Sequence, residues 1–254
     1  MDFTKFEEWA LKEFNIDLSA YKSNQLHRRI LTLMTRTGAK SLDEYMIMIK
    51  SDKEIRGRFL DYVTINVTEF YRNPQIFKEL NTLIKSELNY KRPLKIWSAA
   101  CSIGAEPYSV SMMLRELTPN VNHKILATDL DSNILIKAKA GEYVSSDIKN
   151  VPEAQLKKYF RCENNKFIIN KEIKDLVTFK KHDLIMDQYE GGFDIIICRN
   201  VVIYFTNEVK EKIYNKFSKS LNPGGILFIG ATESIYGYKD FGFEKLSTFI
   251  YKKL

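Results

Sequence analysis

Histidine and cysteine are scarce in this chain of 254 residues, three of each. His27, His123 and His182 do not stand in ligand spacing, and Cys101, Cys162 and Cys198 include no Cys-x-x-Cys pair. Both absences speak against a structural zinc site and a disulfide framework, and no metal is expected. No apolar run approaches the roughly 20 residues that span a bilayer. The N-terminus MDFTKFEEWALKEF lacks the basic-then-apolar order of a signal peptide, so a cytoplasmic location is expected. A Gly-rich phosphate loop ending in Lys-Ser/Thr is missing, as are Gly-x-Gly-x-x-Gly and Gly-x-Ser-x-Gly. Those absences speak against a nucleotide triphosphatase, a dinucleotide enzyme and a serine hydrolase.

What is present is ordinary in bulk and uneven in detail. A hydrophobic fraction of 44% with 28% charged residues describes a globular chain long enough for one large domain and a small one. The net charge of +7 calls for an acidic partner without saying which. Between Tyr21 and Lys40 there are Lys22, Arg28, Arg29, Arg36 and Lys40 and no acid, so the basic excess is local.

Residues 1 to about 62 carry helical spacing only. Phe3, Phe6, Trp9, Ala10 and Phe14 form one stripe, and Leu26, Ile30, Leu33 and Met34 another. Ser41 with Glu44 three residues later makes a capping box, and a further helix is expected from Asp52 towards Tyr62. From Leu94 onward strands alternate with helices. LKIWSAA, HKILATD and FDIIIC are each followed by a helical stretch (106–117, 132–140 and 207–221), and a loop NPGG precedes ILFIGA. That order predicts an α/β fold with a mainly parallel sheet and helices on both faces. FEKLSTFIYKKL reads as an antiparallel edge hairpin. KYFRCENNKFIINKEIKDLVTF, turning at Glu163-Asn164-Asn165, reads as a small protruding β-subdomain.

Ligands of open parallel sheets bind beyond the C-terminal strand ends. Three such ends carry polar residues. In Ser102-Ile103-Gly104-Ala105-Glu106 a glycine admits close backbone approach and a helix N-terminus offers free N–H groups, though many such turns are structural only. Asp129 is placed to accept ribose hydroxyls or to cap a helix, a need that Asp131 or Ser132 already meets. Arg199-Asn200 leaves the most apolar strand, where a charge is costly without a ligand, an acid or water. A nucleoside with an amino acid end suits this inventory better than a pyrophosphate.

Six segments in register then resemble the CheR family of chemotaxis receptor methyltransferases: INVTEFYRNPQIF (65–77), IWSAACSIGAEPYS (96–109), ATDLD (127–131), KAKAGEY (137–143), FDIIICRNVVIYF (193–205) and GGILFIGATESI (224–235). The resemblance implies a helical N-terminal domain with linker (1–72) that docks the receptor. It also implies a class I S-adenosylmethionine methyltransferase domain (73–254) with a β-subdomain at about 156–180. The implied reaction is methyl transfer from S-adenosylmethionine to receptor glutamates, leaving S-adenosylhomocysteine. By the resemblance, Asn66, Thr68 and Arg72 line the cofactor with Gly104 and Glu106, Asp129 binds ribose, Asp183-Leu184 flank the adenine, and Arg199-Asn200 supply a contact after the strand. Tyr204 matches a tyrosine near the transferred methyl. Two departures are Ala105 where many members have a first glutamate, and Asp183 where asparagine is common.

The acceptor carboxylate is ionised at neutral pH, with a reference pKa of about 4.3, so no general base is needed. Arg72 is the candidate to hold it, or makes an interdomain salt bridge. Tyr204 positions methyl or carboxylate, or is a core aromatic. Arg28, Arg29 and Arg36 are candidates to dock an acidic, helical cytoplasmic region of a chemoreceptor, with 29 and 36 on one helix face; a solvated face is the other reading. The compact β-subdomain suits recognition without a receptor C-terminal peptide. A monomer without nucleic-acid or membrane insertion is expected. Two other readings are a class I methyltransferase for RNA or a small molecule, and a non-catalytic S-adenosylmethionine sensor.

Overall fold

Apolar residues three and four apart build four helices at the N-terminus: α1 (Thr4–Phe14), α2 (Ser23–Thr37), α3 (Leu42–Ser51) and α4 (Lys53–Thr64). The computed structural model describes residues 2–64 and 66–254; Ile65, which opens the 65–77 segment, lies outside the described residues. The chain divides into two units, residues 1–66 with 204–212, and residues 67–203 with 213–254.

In the first unit Phe6, Tyr45 and Phe59 are fully buried, and the Phe59 ring stands nearly perpendicular to Phe6 and to Tyr45, with centroids 5.8 and 6.4 Å apart. Leu26, Ile30, Leu33 and Met34 of α2 are buried as their spacing predicts. Ser41 caps α3 by accepting the Glu44 N–H at 3.1 Å. The Glu44 carboxylate reaches back to the N–H of Lys40 at 2.7 Å, one residue earlier than a standard capping box would place it.

The second unit opens with α5 (Pro74–Glu87), where proline sits at the helix start without a hydrogen-bond penalty. There follow β1 (Lys95–Ala99), α6 (Ala105–Leu117), β2 (Lys124–Asp129), α7 (Ser132–Ala140), β3 (Glu142–Tyr143), α8 (Glu153–Tyr159), β4 (Phe160–Glu163), β5 (Lys166–Ile169) and α9 (Lys171–Lys174). Then come β6 (Val177–Lys181), β7 (Phe193–Cys198), α10 (Asn207–Ser220), β8 (Leu221–Ile229), β9 (Phe243–Lys245) and β10 (Ile250–Lys253). Seven strands form one sheet in the order β6-β2-β1-β7-β8-β10-β9. The pairs from β6 to β8 are parallel, and β10 is antiparallel to β8 and β9. Every residue of β7 is buried, because a central strand has neighbours on both edges and both faces. Strand order reverses between β1 and β7. Right-handed crossovers leaving those two strands in opposite directions put their helices on opposite faces.

Two sequence expectations are revised. Val177–Lys181 joins the main sheet beside β2, and the separate antiparallel sheet is β3-β5-β4, so the protruding part spans 142–169. Alternation alone predicts a strand without saying which sheet accepts it. The hairpin turn itself stands as expected, with Asn164 and Asn165 at φ 49° and 60°. The NPGG loop is instead an irregularity inside β8, whose pairing with β7 jumps from Phe193↔Leu221 to Ile195↔Ile226.

Candidate active site

Beyond β1 the backbone turns sharply, with Ala100, Ser102 and Gly104 at φ 64°, 50° and 83°. Left-handed backbone costs a non-glycine residue about 1–2 kcal/mol and gathers at functional sites. The turn is tied down by the Cys101 N–H to the Thr128 carbonyl at 2.8 Å and the Ser102 N–H to Asp129 Oδ2 at 2.8 Å. A Cβ on Gly104 would meet Ala138, Phe179 and Tyr108 at 3.1–3.2 Å. Backbone angle and packing against protein therefore both demand this glycine.

Glu106, in the first turn of α6, is buried and accepts a hydrogen bond from Ser98 Oγ at 2.7 Å. Arg199, leaving β7, faces it with Nη1 at 3.7 Å from Oε2, an ion pair rather than a hydrogen bond. Arg199 Nη2 donates to the Arg72 carbonyl and to Asn73 Oδ1, both at 2.9 Å, and its guanidinium lies over Phe228 (4.7 Å) and Phe77 (5.3 Å). Burial pushes the Glu106 carboxyl up against the pull of Arg199, and pushes Arg199 down against the pull of Glu106. Arg72 is half-buried, donates to the Val67 carbonyl at 3.0 Å, and its charge acts on both. Thr68 lies half-buried in the same segment.

Asp129 ends β2. Its Oδ1 accepts the Asp131 N–H at 3.1 Å, and burial raises its pKa to about 6. The cap of α7 is Asp131, which accepts from Asn133 and Ile134, so capping does not explain Asp129. Asp183-Leu184 follow β6, a strand end that pattern reading did not count. Asp183 Oδ1 accepts the N–H groups of Ile185 (2.7 Å) and Met186 (3.3 Å), while the Leu184 carbonyl accepts from the Tyr189 hydroxyl at 2.6 Å. Lys216 Nζ donates to the Ile185 and Asp187 carbonyls at 2.8 and 3.1 Å.

The ends of β6, β2, β1 and β7 thus bring together Asp183-Leu184, Asp129, Gly104 with Glu106, and Arg199-Asn200, with Arg72 reaching the last. Ser102 Oγ and Arg199 Nε are buried there without a hydrogen-bond partner among the described residues. Three buried acids (Asp183, Asp129 and Glu106), a buried arginine and orphaned donors suit a polar ligand with a cationic end. Glu233 is a further buried acid here that the sequence reading overlooked; its signal was an acid three residues past Gly230, at a strand end. Among the described residues no group of three His, Cys, Asp or Glu side chains could hold a metal ion.

Asn66 and Tyr204 belong to the first unit. Asn66 Nδ2 donates to Thr64 Oγ1 at 3.0 Å, and the Tyr204 carbonyl accepts the Lys22 N–H at 2.8 Å. Arg29 is a structural residue as well as a cation: it donates to the Tyr62 carbonyl and lies 4.5 Å over that ring. Arg28 and Arg36 are exposed and have no ion-pair partner among the described residues.

Residues 66–250 match the family described as "CheR methyltransferase, SAM binding domain", and residues 1–64 match "CheR methyltransferase, all-alpha domain". The chain belongs to the CheR methyltransferase family. It is 37% identical over 254 residues to the chemotaxis protein methyltransferase of Listeria monocytogenes, covering 99% of this chain and 97% of the relative. It is 35% identical over 253 residues to chemotaxis protein methyltransferase 1 of Pseudomonas aeruginosa, covering 94% and 92%. The strand-end cluster thus lies within a CheR S-adenosylmethionine-binding domain of class I architecture. Among the described residues of this CheR chain, no helix is long and apolar enough to cross a membrane.

Proposed function

We propose that the chain esterifies glutamate side chains of chemoreceptors with the methyl group of S-adenosylmethionine. The observation that carries this reading is the buried Glu106–Arg199 pair at two adjacent strand ends of a CheR S-adenosylmethionine-binding domain. Glu106 suits the ammonium of the cofactor, Asp129 its ribose hydroxyls, and Asp183-Leu184 its adenine. Thr68, Arg72, Gly104, Arg199 and Asn200 complete the lining. Asn66 and Tyr204 are assigned by the family resemblance alone.

S-adenosylmethionine supplies an electrophilic methyl group on a sulfonium. The chain has no proton to remove, because the acceptor is a carboxylate at neutral pH. Its work is to exclude water and to align the two reactants. Arg72, half-buried beside Glu106 and Arg199, holds the incoming carboxylate; holding it too tightly would stabilise the ground state and slow transfer. Tyr204 orients the reacting groups through its hydroxyl. Arg28 and Arg36, exposed cations on α2, engage the acidic, helical cytoplasmic part of the receptor, and the chain works as a cytoplasmic monomer.

The test is transfer of radiolabelled methyl from S-adenosylmethionine to a receptor cytoplasmic fragment, followed by alkali. Label on receptor that leaves as volatile methanol is the expected result. Alkali-stable label, or none, rejects the glutamate reading. Tyr204→Phe should lower kcat while leaving the KM for cofactor in place.

A further inference from the structure

Glu233 has no part in the reading above, yet it is 6% exposed just past the end of β8. Its Oε2 accepts the N–H of Gly230 at 2.5 Å. The same carboxylate faces the backbone N–H groups of Asn200 and Val201, which favour its ionised form against burial. The two loops are in close contact here. A Cβ on Gly230 would lie 2.8 Å from both the Asn200 nitrogen and Glu233 Oε2, and 3.1 Å from Asn200 Cγ.

Asn200 sits at φ 61°, a left-handed conformation that asparagine tolerates better than most residues and that its surroundings here must select over the ordinary right-handed and extended ones. A carboxylate that accepts the Gly230 N–H at one strand end and faces the Asn200 and Val201 N–H groups at the other provides that selection, since buried N–H groups left without an acceptor are costly. We propose that Glu233 is a positioning residue that staples the end of β8 to the Asn200–Val201 turn, holding Arg199 and Asn200 in the arrangement that receives the cofactor. This rests on the reading of Arg199 and Asn200 as cofactor contacts. A competing role is that of countercharge, because Glu233 Oε1 is buried without a hydrogen-bond partner among the described residues and its field acts on Arg199.

The two roles separate on substitution. Glutamine keeps one carbonyl oxygen for the converging N–H groups and removes the charge. Alanine removes both, and Gly230→Ala wedges the loops apart with the carboxylate intact. Affinity is read by calorimetric titration with S-adenosylhomocysteine, and turnover by the kcat and KM for S-adenosylmethionine.

Glu233→Ala and Gly230→Ala should each weaken binding about tenfold or more, as expected for lost backbone hydrogen bonds, and raise KM more than they lower kcat. Glu233→Gln should restore affinity to within about threefold, since the acceptor that holds the N–H groups is kept. Wild-type affinity in Glu233→Ala and Gly230→Ala overturns the staple, and so does Glu233→Gln as weak as Glu233→Ala. If Glu233→Ala does not fold, Glu233→Asp, too short to reach both loops, replaces it with the same expected loss. Arg199→Lys and Asn200→Ala provide the separate check. If both bind S-adenosylhomocysteine like wild type, the underlying reading fails whatever Glu233 does.

Discussion

Arg199 and Glu106 come within 3.7 Å where β7 and β1 end, with side chains 2% and 11% exposed. Each is the other's main compensation for being withdrawn from water, and removing one partner strands the other. Glu106→Ala should therefore lower the unfolding free energy by about 3 kcal/mol, read from urea denaturation. Combining Glu106→Leu with Arg199→Met should recover much of that loss without recovering cofactor affinity. Additive losses in the double variant would show that the two do not act as a pair.

The Asp129 carboxyl, raised by burial from 3.8 to about 6, makes stability depend on pH in a stated direction. The folded state binds this proton more tightly than the unfolded state. Its stabilising contribution is complete below about pH 4 and lost as pH rises through about 6, in total roughly 3 kcal/mol. The stability of wild type relative to Asp129→Asn should fall across that window and be flat above it. Binding runs the other way, because ribose hydroxyls donate to the ionised carboxylate. Affinity for S-adenosylhomocysteine should weaken as pH drops below about 6 in wild type and show no such slope in the variant.

Gly104→Ala tests what the glycine of the β1–α6 turn is for. Its φ of 83° and Cβ contacts of 3.1–3.2 Å lie on the protein side. The expected cost is about 2–3 kcal/mol of stability, seen as a lowered melting temperature. In the proposed reading Gly104 lines the cofactor through its backbone while its Cβ would point into protein, so cofactor affinity measured well below that temperature should change little. A large loss of affinity with normal stability would instead mean that the glycine admits the ligand.

The basic stretch on α2 should split into two classes. Arg29→Glu loses the hydrogen bond to the Tyr62 carbonyl and the stacking on its ring, a destabilisation of about 1–2 kcal/mol. Arg28→Glu and Arg36→Glu should leave stability within about 0.5 kcal/mol and raise the KM for receptor. An unchanged receptor KM in both would sink the docking role of this face.

Lys216 binds the Ile185 and Asp187 carbonyls and lies 4.8 Å from the Tyr189 ring, pinning the loop that carries Asp183 and Leu184. Lys216→Met keeps the stem and loses the donors. Steady-state kinetics should show a KM for S-adenosylmethionine raised about three- to tenfold with kcat nearly constant, as lost hydrogen bonds in a binding loop predict.

Local pattern determined much of this protein without help from tertiary structure. Helical spacing marked the N-terminal unit, apolar runs followed by helical stretches marked β1, β2 and β7, and Asn164-Asn165 marked a hairpin turn. The six family segments supplied the chemistry. These features are legible because periodicity and turn preference are properties of neighbouring residues. Only the tertiary structure placed Val177–Lys181 in the main sheet, set Arg29 on Tyr62 rather than in solvent, and joined Glu233 to Asn200. Each of those depends on a partner far away in sequence, and the spacing of residues along one segment carries no record of what another segment will bring against it.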